Sequence, residues 1–530
     1  MKRLRAPARR QFITALLLVV AGACAPSSQP SAIDRLHPCA LDEGPADAFC
    51  GTLTVFENRQ SRQGRTIDLA IVVLPALSNR AAPDPLFFLA GGPGQGAAKM
   101  ARQIRDIFRQ VQNDRDVVFV DQRGTGRSNP LDCRSDDDSL ATLNESDEAA
   151  LARLRTCLAG FDADPRFYTT AIAMDDLDDV RAHLGYERIN LYGGSYGTRA
   201  GLVYMRQHGD RVRAAVLDGV APTGMRLPLY FARDAQRALD RLLDDCEADA
   251  PCAAKYPGLK ERTRALFARL EETPQPVRLV HPRTGIAEDV TVQARFVAAV
   301  VHGTLYSPLT SSMVPELVAR AENGDFQGML ALATMNEGAL ENMAIGMQLS
   351  VLCAEDLPRI DPAEVDRESA GTVFARHLMG GRFEACEFWP KGDVPAGFHD
   401  PVASDIPTLV LSGQLDPVTP PSWGDAAAKH LTRSLHVVAP GTGHGVVPTG
   451  CGQRLLRDFI RAGVLEGLDT SCVTAMKRPP FFLTPAGPDP TATGIAHSGR
   501  LEGSASTRTS RGFELALQDD PRRPERSLAR

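Results

Sequence analysis

One serine in the chain sits where a serine can become a nucleophile. Residues 191–201 read LYGGSYGTRAG, with Gly193, Ser195 and Gly197 in the spacing G-x-S-x-G. An apolar, strand-like run precedes the motif and a helix-like run follows it. A sharp strand-to-helix turn lifts the serine hydroxyl above a sheet and tolerates only small flanking residues. A phosphate loop would need G-x-x-x-x-G-K-[ST], and a dinucleotide site would need G-x-G-x-x-G with a later acid. Neither pattern is present in this stretch. Taken alone, the glycines also fit a structural bend.

Two later residues decide between bend and nucleophile. Asp416, in SGQLDPVTPP, follows the apolar run TLVLS, and His444, in GTGHG, follows LHVV. Serine, acid and histidine in that chain order, each at the end of a strand, match an α/β-hydrolase triad. Ser195 would attack an acyl carbon while His444 takes its proton and later returns it to the leaving group. Asp416 would fix the imidazole tautomer and stabilise the imidazolium. Asp218, at the end of VRAAVLD, is the competing acid, and its expected part is to cap or brace the loop. The oxyanion needs preorganised N–H donors. The expected ones are Tyr196 and, from AGGPG at 90–94, Gly91 and Gly92, since Pro93 has no N–H.

The surrounding pattern supplies the elements to hold these residues. Residues 51–74 alternate as a hairpin, and apolar strand segments follow within 84–96, 115–128, 188–195 and 212–222. Helical stretches lie between them, including AIAMDDLDDVRAHLG at 171–185, with Thr169 or Thr170 as its cap and Gly185 as its stop. Asp175, Asp176, Asp178 and Asp179 read there as a charged helical face rather than a metal site. Alternating strands and helices predict an α/β fold with a mostly parallel central sheet. Residues 25–221 and 405–480 form its two parts, and 222–404, rich in helical periodicity, form an inserted, mainly helical cap. Residues 481–530, rich in Pro, Gly, Ser, Thr and Arg, are expected to be a disordered tail.

The ends and the cysteines speak to compartment. Basic residues precede FITALLLVVAGA, too short a stretch to span a bilayer as a mature helix, so residues 1–24 read as an export signal. VAGAC is similar to a lipobox that would make Cys24 a lipid-bearing N-terminus, with ordinary signal-peptidase cleavage as the alternative. RRQFI is similar to the core of a twin-arginine signal, with a normal basic segment as its alternative. The protein is therefore expected outside the cytoplasm, periplasmic or secreted, with lipid anchoring through Cys24 as one form. Of eleven cysteines, those other than Cys24 fall into sequence neighbours: Cys39/Cys50, Cys133/Cys157, Cys246/Cys252, Cys353/Cys386 and Cys451/Cys472. An even set in an oxidising compartment favours disulfides, although spacing leaves the connectivity open. No pair has zinc-like spacing, so no metal is expected, nor an organic cofactor. A net charge of −6 over 530 residues gives no basic footprint for nucleic acid.

GGPG, DQRGTGRS, GGSYGT, SGQLDPVTPP and GTGHG occur in order across residues 88–445. Together they resemble the proline iminopeptidase and tripeptidyl aminopeptidase family of serine exopeptidases, within the α/β-hydrolase superfamily. Ala90 stands where proline iminopeptidases carry a histidine. The resemblance implies a peptide substrate with a free N-terminus, held by cap carboxylates, for which SVLCAEDLP offers Glu355 and Asp356. A cation in a closed pocket requires such an opposing charge. The resemblance also makes Arg123 and Arg127 of DQRGTGRS braces beneath the site rather than substrate clamps. The competing activity is an esterase or amidase using the same triad on small acyl substrates. A binding module that merely kept the fold is the non-enzymatic alternative.

Overall fold

The computed structural model describes residues 35–488 apart from 44–45, 135–139, 141–142, 144 and 341, and no side chains at 336–340. Residues 1–34, which include the expected export signal and Cys24, and residues 489–530 lie outside the described residues.

A sheet of β1 (His37–Cys39), β2 (Ala48–Phe56), β3 (Thr66–Leu74), β4 (Leu86–Leu89), β5 (Val117–Val120), β6 (Ile189–Gly194), β7 (Val212–Asp218), β10 (Thr408–Gly413) and β11 (Ser434–Ala439) carries the fold. Their spatial order is β1-β2-β3-β5-β4-β6-β7-β10-β11. The first strands pair antiparallel, and β5 through β11 run parallel. Continuous apolar runs such as LFFL and VVFV suit strands covered on both faces. Phe87, Leu89, Val118 and Leu191 face helices Thr170–Leu184 and Tyr196–His208. Phe88, Phe119, Tyr192 and Leu411 face helices Ala97–Gln112 and Gly452–Ala462. Each fully buried side chain of this size contributes about 1.5–3 kcal/mol.

The helix expected at 171–185 spans Thr170–Leu184. Gly185, in left-handed conformation at φ 81°, ends it. Thr169 occupies the N-cap without a side-chain bond. Asp176 departs from the expected charged face. It is buried and paired with Arg123 (2.6 Å) and Arg59 (2.8 Å), while Asp179 stays exposed.

Between β7 and β10 the chain makes the inserted layer. Helices Phe231–Ala248, Leu259–Glu272, Ala294–Leu305, Val314–Ala321 and Ile345–Glu355 dominate it. Leu239, Phe267, Val297, Val301, Leu317 and Phe326 give it an apolar centre of its own. It also contains an antiparallel hairpin, β8 (Gln275–Val280) with β9 (Ala287–Val292), in a region expected to be mainly helical. The expected tail boundary is also corrected. Phe481 is buried within the insertion's apolar cluster, and the backbone of Phe482 bonds to Ser312 (3.0 Å) and to the Tyr256 hydroxyl (3.0 Å).

All five neighbouring cysteine pairs are disulfides, Cys39–Cys50, Cys133–Cys157, Cys246–Cys252, Cys353–Cys386 and Cys451–Cys472. Cys353–Cys386 ties helix Ile345–Glu355 to helix Arg382–Phe388.

Candidate active site

Ser195 stands between β6 and helix Tyr196–His208 with φ 57° and ψ −127°, a conformation costing about 1–3 kcal/mol for a residue with a side chain. The flanking glycines make the turn sterically feasible. A Cβ at Gly193 would collide with the Gly197 carbonyl, and one at Gly197 with the Leu89 carbonyl. The Ser195 N–H donates to the Asp218 carbonyl (3.0 Å), fixing the turn against the end of β7.

The loop after β4 passes directly beside the serine, where a Cβ on Gly91 would lie 3.1 Å from Ser195 Cβ. Tyr196 is the first residue of its helix, so its N–H has no acceptor one turn earlier. These are the two places from which the expected oxyanion donors would come. The insertion also holds this loop, since the Ala344 N–H donates to the Gly94 carbonyl (2.9 Å).

Asp416 follows β10 and His444 follows the neighbouring β11. His444 Nδ1 meets Asp416 Oδ2 at 2.8 Å, which leaves Nε2 as the basic nitrogen. Asp416 Oδ1 accepts the N–H groups of Val418 (2.9 Å) and Thr419 (2.8 Å), and Oδ2 accepts the Thr419 hydroxyl (2.8 Å). Burial would raise the Asp416 carboxyl, but the His444 charge and these donors outweigh it and hold it below the usual range. Burial would likewise lower His444, yet the Asp416 charge and hydrogen bond hold it above the ordinary imidazole value. The His444 ring lies beside Gly219, the residue after Asp218, with Cε1 3.0 Å from where a Cβ would be. Ser195 and His444 are thus each anchored near the end of β7, at Asp218 and Gly219.

Asp218 has a different position. It is fully buried and accepts the N–H groups of Val446 (2.8 Å) and Val447 (2.9 Å) and the Tyr192 hydroxyl (2.9 Å). It braces the loop that follows His444 and makes no hydrogen bond to the ring. Arg123 is buried on Asp176 and the carbonyls of Glu57 (2.8 Å) and Phe167 (2.9 Å). The Arg127 side chain is exposed, and only its N–H braces, on Asp121 (2.9 Å).

The two cap carboxylates separate. Both Asp356 oxygens are engaged, Oδ2 with Arg199 (2.8 Å) and Oδ1 with the Leu227 N–H (3.1 Å), in a fully buried pair. The expectation that Asp356 takes a substrate amine is therefore corrected, because its charge is already neutralised. Glu355 accepts the N–H (2.7 Å) and hydroxyl (2.9 Å) of Thr170, and that hydroxyl lies 2.5 Å from the Tyr196 hydroxyl. Burial pushes Glu355 up to about 7 despite nearby Arg199.

Several contributors were not singled out from sequence. Arg199 lies one helical turn after Ser195, and a single charge within the otherwise uncharged stretch Tyr196–Met205 is a usable sign. Thr419 completes an Asx-type turn that DPVT could have suggested. Tyr306, whose carbonyl accepts the His444 N–H (2.7 Å), and Arg237, which donates to the carbonyls of Gln414 (3.0 Å) and Asp416 (2.7 Å), carried no sequence signal.

A second Ser–His–Asp chain exists but is closed. His436 Nε2 lies 3.0 Å from Ser412 Oγ, and Nδ1 lies 2.8 Å from Asp425. Ser412 is fully buried, and a Cβ on Gly424 would lie 2.7 Å from its hydroxyl, so no carbonyl reaches it. Among the described residues no group of three or more His, Cys, Asp or Glu is arranged to hold a metal.

Comparison with known proteins identifies two matching families and several similar proteins. Residues 84–275 match the family described as alpha/beta hydrolase fold, and 372–472 match that described as TAP-like protein. The chain is 26% identical over 459 residues to serine protease Hip1 of Mycobacterium tuberculosis, covering 80% of this chain and 86% of that one. It is 31% identical over 138 residues to a proline iminopeptidase of Neisseria gonorrhoeae (26% and 32% covered). It is 28% identical over 199 residues to a tripeptidyl aminopeptidase of Streptomyces lividans (34% and 37% covered).

Proposed function

We propose that this chain, whose residues 84–275 and 372–472 match the families described as alpha/beta hydrolase fold and TAP-like protein and whose relatives include a serine protease and a tripeptidyl aminopeptidase, is an exported serine exopeptidase cutting near free peptide N-termini. The observation that carries this reading is the 2.8 Å bond between Asp416 and His444, in a chain whose Ser195 occupies a strained strand-to-helix turn.

Ser195 Oγ attacks the scissile carbonyl carbon as its proton passes to His444 Nε2. The carbonyl oxygen becomes an oxyanion facing the N–H groups of Tyr196 and of Gly91 or Gly92. Loss of one such donor typically costs ~10²–10³ in rate. When the C–N bond breaks, His444 gives its proton to the departing amine and an acyl ester remains on Ser195. Water then attacks that ester with His444 as base, and the acid product leaves. Asp416 stays ionised throughout and stabilises the imidazolium.

Glu355 is the group suited to the substrate's ammonium. An arriving cation would lower its carboxyl pKa and stabilise the charged form. The basic, apolar N-terminal segment ending at Cys24 supports export, with lipid anchoring at that cysteine as one form.

A fluorophosphonate probe should label the folded protein, and Ser195→Ala should abolish labelling. Mono-, di- and tripeptidyl chromogenic amides should be cut, and their N-acetylated forms should not. Glu355→Gln should erase that discrimination while leaving the probe reaction intact. Faster turnover of simple esters, or equal cutting of blocked peptides, would transfer the assignment to an esterase or amidase.

A further inference from the structure

The loop that carries His444 is built against the insertion as well as against the sheet. Tyr306 caps the C-terminus of helix Ala294–Leu305, so its carbonyl has no donor within the helix. That carbonyl accepts the His444 N–H (2.7 Å), and the Tyr306 ring packs edge-on to the imidazole with centroids 5.0 Å apart. One insertion residue therefore touches both the main chain and the side chain of the base. Gly443 shows how close the approach is. A Cβ there would collide with the carbonyl oxygen of Tyr306 and lie 2.9 Å from that of Leu305. A residue with a side chain before His444 would push the loop off the helix end.

The Tyr306 ring is itself held in place. One turn earlier His302 meets it edge-on at 5.3 Å, and Phe231 (6.2 Å) and Phe374 (6.3 Å) pack on His302. The contact with His444 is made by the ring, and among the described residues the Tyr306 hydroxyl makes no hydrogen bond. Asp416 (2.8 Å) and Thr419 (3.1 Å) both hold the imidazole at Nδ1, which leaves it free to tilt about that point. A second aromatic ring packed against it removes this freedom.

We propose that Tyr306 is a positioning residue for His444, its ring setting the tilt of the imidazole, so that the orientation of the base depends on a residue of the insertion. This rests on the Ser195–His444 part of the proposed function and not on the choice of peptide over ester.

The test is the rate of fluorophosphonate labelling, which needs the base but no particular substrate, with kcat and KM on whichever amide or ester the unmutated protein turns over. Tyr306→Leu keeps an apolar side chain and removes the ring. It should slow labelling and lower kcat by between about tenfold and a hundredfold, the upper figure being what a misplacement of about 1 Å brings, with KM unchanged. Tyr306→Phe keeps the ring and should retain the parent rates. Gly443→Ala parts the same contact from the other side and should match Tyr306→Leu. Melting temperature and the final extent of labelling report folding separately, and should Tyr306→Leu not fold, Gly443→Ala decides by the same readings. Parent rates in Tyr306→Leu, equal losses in Tyr306→Phe and Tyr306→Leu, or a loss carried by KM alone would overturn the assignment. Ester turnover without amide turnover by the unmutated enzyme would defeat the peptidase reading and leave this comparison intact.

Discussion

At His444 the environment sets both protonation state and pH response. Its pKa is held above 6.5 by Asp416 against the opposing effect of burial, and only the neutral ring accepts the Ser195 proton. Activity is therefore lost as pH falls through that raised value. The acid limb of the kcat/KM profile should lie above 6.5, and Asp416→Asn should move it lower while reducing kcat by about 10³–10⁴. Asp218→Asn should instead lower Tm through the loop at Val446, with a smaller loss of kcat. Ser412→Ala should label with fluorophosphonate like the parent, because its hydroxyl is sealed beneath Gly424. Labelling lost in Ser412→Ala but kept in Ser195→Ala would exchange the two assignments. Ser195, Asp416 and His444 were legible because each lies in a short motif at a strand end. The engagement of Asp356 was not, since Arg199 lies 157 positions away and only tertiary packing joins them.

Among elements, the nucleophile helix and the insertion are joined through a buried charge. Arg199 on Tyr196–His208 holds Asp356 at the end of Ile345–Glu355 and also the Met225 carbonyl (2.6 Å). Asp356→Asn or Arg199→Met alone strands a buried charge and should destabilise by about 3–5 kcal/mol, read from denaturant midpoints. The double variant should recover much of that loss, and additive losses would show that the two residues act independently. Helix Thr170–Leu184 was readable from its periodicity and from Gly185. The β8–β9 hairpin was not, because only Leu279, Val290 and Val292 of its two strands are buried, too few to show a pattern.

For the whole molecule, the placement of Phe481 extends the folded unit beyond the expected boundary. Phe481→Ala should cost about 3–5 kcal/mol in unfolding free energy, whereas a loose tail would show no change. Composition suggested a tail because Pro and Thr surround this residue, and composition does not register one aromatic side chain seated in another layer. The order of the sheet has a further consequence. β7 and β10 are hydrogen-bonded neighbours, yet Asp218 and Thr408 enclose the entire insertion between them. Their pairing closes a long loop, a slow step in folding. During synthesis the serine and its oxyanion loop emerge early, and the acid and base arrive only after the insertion has been made. A nascent or truncated chain lacking residues 408–445 holds a nucleophile with nothing to deprotonate it. On the proposed mechanism the molecule is thus its own zymogen in time, silent until its last strands dock.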